Sequence, residues 1–202
     1  MTERDRSARV TTLPNLLGLG RILATPVVMA MLLLPFPGAG LIGFAVFTVA
    51  AGTDWFDGRI ARSRGQVSPL GVFMDLTADK VLVAGVLIAM VQVDLLPAWI
   101  VAVLVIRELV VAGVRQLAAS ANVVIAARGL GKWKAFATNV AIAVLLLAYD
   151  GLKDGPVAQL DFTVELQLIG AWLALMAALL AVVSAWDYLK GALPILMGRD
   201  AD

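Results

Sequence analysis

Six apolar runs, each near twenty residues and parted by short breaks, use up almost the whole of this 202-residue chain. A helix rises about 1.5 Å per residue, so about 20 apolar residues cross the roughly 30 Å hydrocarbon layer of a bilayer. The runs fall near 15–34, 41–62, 71–93, 96–119, 133–149 and 165–189. Between them lie Pro35-Phe36-Pro37-Gly38, Ser68-Pro69, Asp94 to Pro97, Gly129 to Gly131 and Gly151 to Pro156, all with turn or helix-breaking chemistry. Hydrophobic residues make up 61% of the chain, against roughly 45–50% in a soluble domain, so lipid is its expected solvent. The fold class that follows is all-α: a six-transmembrane-helix bundle over 13–190, with an N-terminal tail or interfacial helix at 1–12 and a C-terminal tail at 191–202. The first run exceeds a signal-peptide core and no small-residue cleavage site follows it, so it reads as a retained helix. No repeat of 20–50 residues is visible.

Charge sets the orientation. Fifteen of the 16 Lys and Arg residues lie in the N-terminal tail, the 59–64 segment, the region from Arg107 to Lys134 and the C-terminal end, with Arg21 and Lys80 counted at their nearest ends. Only Lys153 falls on the opposite side, in a segment from Asp150 to Glu165 that carries four acids. The positive-inside rule therefore puts both termini in the cytoplasm, and a multi-pass protein of the cell (inner) membrane is expected. A net charge of +1 gives no field that would call for nucleic acid. The chain has neither cysteine nor histidine, which excludes disulfides, thiolate nucleophiles, classical zinc sites and imidazole catalysis. Aspartate must carry any demanding chemistry.

Around the second break the chain reads Asp54-x-x-Asp57-Gly58-x-x-Ala61-Arg62, then Gly71-x-x-x-Asp75-x-x-x-Asp79. Spacings of three and four residues line these positions along one stripe of each helix, and the short connection makes the two helices antiparallel neighbours whose stripes can face each other. A carboxylate at that depth costs about 2.5–3.5 kcal/mol on insertion scales, and four bare ones would repel strongly. Oxygen-only ligands suit a hard divalent cation, Mg²⁺ or Mn²⁺, and four carboxylates are enough for two ions that clamp phosphate oxygens. Gly58 and Gly71 permit close approach of a ligand to the backbone, Ala61 keeps the face open, and Arg62 offers a planar fork to phosphate. Glycines in membrane helices also serve plain close packing. Purely structural burial of four acids with an arginine has no stabilising rationale.

This pattern resembles the signature of the CDP-alcohol phosphatidyltransferase family, with every defining position filled: Asp54, Asp57, Gly58, Ala61, Arg62, Gly71, Asp75 and Asp79. Leu13-Pro14-Asn15-Leu16-Leu17 with Arg21, Arg107-Glu108-Leu109-Val110-Val111 with Arg115, and Gly131-Lys132-Trp133-Lys134 are similar to the phosphatidylglycerophosphate synthase branch. The resemblance implies a six-helix bundle, a homodimer, and a polar cavity open to the cytoplasm. It implies that Asp54, Asp57 and Asp75 hold a metal pair with help from Asp79, which is also the general base. Gly58 and Arg62, with Ser68 and Asn15, would hold the CDP part of a CDP-diacylglycerol. The acceptor hydroxyl then attacks the lipid-linked phosphorus and CMP leaves, with no covalent intermediate.

The acceptor is to be read from the remaining cations. Arg107 lies inside the fourth run and needs an anion; Glu108 points about 100° away around the helix, so a motif aspartate or a substrate phosphate is the expected partner. Arg115 shares its approximate face, and with Arg128, Lys132 and Lys134 forms a basic funnel for a phosphorylated acceptor such as glycerol 3-phosphate. Inositol phosphate, serine and phosphatidylglycerol stay open as acceptors. The reading from a different class is a cation-coupled transporter, since intramembrane acids also mark ion pathways. Against it, the acids cluster at one end of the bundle.

Overall fold

A computed structural model describes residues 13–34, 36–64, 69–120 and 129–196, with the side chains at 13–15, 54–64, 69–72, 75–76 and 194–196 outside the described set. The tail at 1–12, Ser68, Arg128 and the chain beyond 196 also lie outside the described residues. The described elements are α1 (Leu13–Leu33), α2 (Ala39–Arg64), α3 (Pro69–Gln92), α4 (Ala98–Ser120), α5 (Leu130–Leu152) and α6 (Thr163–Leu196). A 3₁₀ turn at Pro156–Leu160, unforeseen in the sequence, joins α5 to α6. Helix ends fall within three residues of the apolar runs except at the last, where α6 continues to Leu196 instead of stopping near 189. Ala192 is still buried there, so packing carries the helix on.

The breaks form where the backbone conformation demands them. Gly38 sits at φ +92 between α1 and α2, a conformation open to glycine. Asp94, Asp154 and Asp161 take φ of 59, 54 and 53 in the other turns, the left-handed region that short polar side chains tolerate best among non-glycine residues.

Side-chain size along α6 identifies the solvent. Its buried positions are Gly170, Ala174, Ala177, Ala178, Ala181, Ser184 and Ala192, while Ile169, Trp172, Met176, Leu179, Val183 and Trp186 are exposed. In water the hydrophobic effect would drive the large side chains inward. In lipid the large residues cost nothing outside, and small ones inside let helices approach closely. The chain is a membrane protein, and among the described residues Leu16–Leu33, Leu130–Leu152 and Thr163–Leu193 are long and apolar enough to cross a membrane by length and composition. The three remaining helices carry most of the ionisable groups of the site: α2 the first half of the aspartate motif, α3 the second, and α4 Arg107, Glu108 and Arg115.

The α5–α6 pair is the most closely packed, α4 leans on α6, and α2 leans on α5. One neighbour relation departs from the sequence reading. Instead of lying directly against α3, α2 shares α1 with it: α1 packs against both, and α2 and α3 touch only slightly among the described residues. Gly85 explains the preference, because a Cβ there would stand only 2.5 Å from Thr25 Cγ2, so α1 and α3 come closer than side chains would allow.

The helix ends away from the aspartate motif are tied by two buried polar groups on α5. Asp150, 1% exposed, accepts hydrogen bonds from the backbone N–H of Leu41 at 3.1 Å and of Val157 at 3.0 Å. Its carboxylate thereby serves donors in the first turn of α2 and in the 3₁₀ turn that their own helices leave unsatisfied. Tyr149 donates its hydroxyl to the carbonyl of Leu32 at 2.5 Å, closing the last turn of α1.

Candidate active site

Asp54, Asp57, Gly58, Ala61 and Arg62 lie on α2, and Gly71, Asp75 and Asp79 on α3. Of these eight the side chain of Asp79 is described; those of the other seven, like Asn15, lie outside the described set.

Asp79 opens into a cavity of about 490 Å³ between α3, α4 and α5. Its apolar wall includes Phe73, Val83, Leu87, Leu104 and Val111; its polar wall includes Asp79, Lys80, Arg107, Glu108, Arg115, Lys134 and Asn139. Three cations foreseen for a phosphorylated acceptor, Arg107, Arg115 and Lys134, therefore share one space with the last aspartate of the motif. Lys132 does not join them: it is exposed and outside the cavity lining. Lys134, Ala135, Thr138 and Asn139 make one continuous stripe of α5, whereas Lys132 stands in the first turn of that helix, nearer its end than the cavity reaches.

The Arg107 guanidinium is fixed on two sides. Its Nη1 donates to Glu108 Oε1 at 2.8 Å and its Nη2 to Ser184 Oγ at 3.0 Å, while Ser184 passes its own proton to the carbonyl of Ala181 at 3.1 Å. Lys134 Nζ donates to the same Glu108 Oε1. The sequence reading had set Glu108 aside as pointing away from Arg107; the structure corrects this. The backbone directions do diverge by about 100°, but both side chains are long, and Lys134 on α5 draws the carboxylate into the space between the helices. The side chains of Arg107 and Lys134 are 11% and 8% exposed. At such burial an ion pair with each charge hydrogen-bonded is the tolerable arrangement, and an uncompensated one is not.

Arg115 is held more loosely, with Nε 3.4 Å from the Tyr188 hydroxyl and its Cζ 5.8 Å from that ring's centroid. It stands on the exposed side of the cavity, where a cation can meet an incoming anion before burial. Glu108, Ser184, Tyr188 and Asn139 were not singled out as site residues from sequence. For Glu108 the available signal was its place beside an intramembrane arginine; for Ser184, a hydroxyl in a stripe of alanines. Asn139 and Tyr188 carry no spacing signal of their own.

A family model described as CDP-alcohol phosphatidyltransferase matches residues 11–183. The chain is similar to the CDP-diacylglycerol--glycerol-3-phosphate 3-phosphatidyltransferase of Bacillus subtilis, 39% identical over 188 residues that cover 87% of this chain and 92% of the relative. The protein of the same name from Rickettsia bellii is 33% identical, covering 88% of this chain and 93% of the relative. A cardiolipin synthase (CMP-forming) of Oryza sativa subsp. japonica is 31% identical over 90% of this chain and 59% of the relative.

Proposed function

The chain belongs to the CDP-alcohol phosphatidyltransferase family, and from that membership we propose that it transfers the phosphatidyl group of CDP-diacylglycerol to glycerol 3-phosphate, giving phosphatidylglycerophosphate and CMP. The observation that carries the choice of acceptor is the shared cavity, in which Asp79 opens onto the same space as Arg107, Lys134 and Arg115. These three cations, with Glu108 counted against them, leave two net positive charges, which match the dianion of a phosphomonoester. A zwitterionic serine or the single charge of a phosphodiester matches them less well. Family membership also replaces the transporter reading.

The donor set fits the metal that this chemistry uses. Asp54 and Asp57 lie three residues apart on α2, and Asp75 and Asp79 four apart on α3, so each pair occupies one helix face one turn apart and offers oxygen alone. These four would hold Mg²⁺ or Mn²⁺, two ions by the number of carboxylates, and when bound the metal neutralises pyrophosphate charge. Arg62 adds its fork to the same pyrophosphate, and Gly58, Ala61 and Gly71, with Asn15 and Ser68, line the nucleotide's place. Arg107 and Lys134 take the acceptor phosphate, which Arg115 guides inward; Lys132 contributes only to the field around the entrance. Asp79 takes the proton of the attacking hydroxyl. The new oxygen–phosphorus bond forms as the phosphoanhydride bond breaks, and CMP leaves with the bonding pair.

All six helices cross the membrane in this reading, with both termini and the cavity mouth on the cytoplasmic side of the cell membrane, and the enzyme works as a homodimer in the lipid. The unequal distribution of Lys and Arg supports that orientation. The test is CMP release by the purified protein in detergent with CDP-diacylglycerol and Mg²⁺, using glycerol 3-phosphate, inositol phosphate, serine or phosphatidylglycerol as acceptor. Release is expected with glycerol 3-phosphate. No release with any acceptor would remove the enzymatic reading; release with phosphatidylglycerol alone would move the chain to the reaction named for its cardiolipin synthase relative.

A further inference from the structure

Among the described residues, two residues that line the cavity each keep a buried polar atom without a hydrogen-bond partner: Arg107 its Nε and Asn139 its Oδ1. They are opposite in kind. The guanidinium Nε can only donate, and it is left over after Nη1 and Nη2 have been taken by Glu108 and Ser184. The carboxamide oxygen can only accept. Buried groups of this sort normally find partners, so an orphan pair in one cavity describes the ligand that completes it. An anionic oxygen satisfies the donor and a hydroxyl satisfies the acceptor. One small molecule can supply both, because Arg107 and Asn139 line the same cavity.

On this basis we propose that Asn139 determines acceptor specificity, its carboxamide oxygen taking a hydrogen bond from the hydroxyl of the acceptor that does not react. The inference rests on the phosphatidyl-transfer reading above and sharpens it: the preferred substrate is a phosphate that also carries a second, non-reacting hydroxyl. Position agrees with the role. Asn139 follows Lys134 by five residues on α5, about 7.5 Å farther along the helix axis. Along that length a phosphate held at Arg107 and Lys134 places the carbon chain of its alcohol beside Asn139. Asn139 and Asp79 stand at nearly the same distance from the ends of α5 and α3 that face the motif, nine and ten residues in. The non-reacting hydroxyl thus meets Asn139 while the reacting one meets the base. A site that hydrogen-bonds a substrate hydroxyl rejects the analogue lacking it, since its own polar group is then left unpaired.

The experiment compares glycerol 3-phosphate with 3-hydroxypropyl phosphate, which keeps the phosphate and the attacking hydroxyl but lacks the middle one, for the wild type and Asn139→Ala. The wild type is expected to prefer glycerol 3-phosphate by at least tenfold in kcat/KM, about 1.4 kcal/mol. Asn139→Ala is expected to lose that factor on glycerol 3-phosphate alone, leaving the rate with the deoxy analogue and the KM for CDP-diacylglycerol unchanged. Equal losses on both acceptors, or no loss, would overturn the assignment. If the variant does not fold, the wild-type comparison still decides, because a wild type indifferent to the middle hydroxyl overturns it too. Absence of any wild-type turnover with glycerol 3-phosphate would instead remove the parent reading, and this inference with it.

Discussion

Replacing Asp150 by Ala tests how much of the bundle's stability is carried by the knot at its far end. The carboxylate is 1% exposed and accepts two backbone hydrogen bonds, from Leu41 N and Val157 N. Bonds to a charged group contribute about 1.5–3 kcal/mol each, and an abandoned buried donor costs about 1–3 kcal/mol. Two such donors put the loss at about 2–6 kcal/mol, lessened wherever water reaches them. At 2–4 °C per kcal/mol for a chain of this length, Tm in detergent should fall by roughly 5–20 °C. Asp150→Asn keeps one acceptor oxygen but turns an amide nitrogen toward the other N–H, so it should lose about half as much. Lys134 lies 16 residues away on the same helix, about 24 Å along its axis, and kcat measured well below Tm should therefore stay at the wild-type value. The reasoning is refuted if Ala costs less than about 1 kcal/mol, which would mean that both donors find water. It is equally refuted if activity falls while Tm does not.

Asp79→Asn should abolish CMP release while leaving CDP-diacylglycerol binding within a few-fold, measured by titration; turnover near wild type would remove Asp79 from the base role. Ser184→Ala leaves Arg107 Nη2 without its partner at 3.0 Å and should raise the acceptor KM by about three- to tenfold, the effect of about 1 kcal/mol, with the KM for CDP-diacylglycerol unchanged. Arg107→Ala should raise the acceptor KM further still, and equal effects on both substrates would instead tie Arg107 to the aspartates. Tyr149→Phe removes the bond to the Leu32 carbonyl and should cost about 1 kcal/mol of stability, read as a small drop in Tm at unchanged activity.

Sequence reasoning reaches the helices and the grouping of Arg107, Arg115 and Lys134 with Asp79, and it fails where partners are distant along the chain. The six apolar runs located the helices because an apolar run is a local property that lipid selects directly. Arg107 is legible because a cation placed that deep must serve something, and Lys134 because it stands with Arg128 and Lys132 near the start of the fifth run. What joins them could not be read in the same way. Helix angle alone turns Glu108 away from Arg107, since the position of α5, which carries its second partner Lys134 26 residues on, is a tertiary fact. Asp150 looked like one acid among four in a surface segment, yet its donor at Leu41 is 109 residues away. Asn139 was silent for a third reason: its meaning lies in an unmet bond, and no residue pattern records what a side chain lacks. These omissions have one thing in common. Local pattern specifies which groups are driven into the bundle, whereas their pairing depends on which helices meet, and among the described residues α3 meets α1 far more than the α2 that the short connection sets beside it.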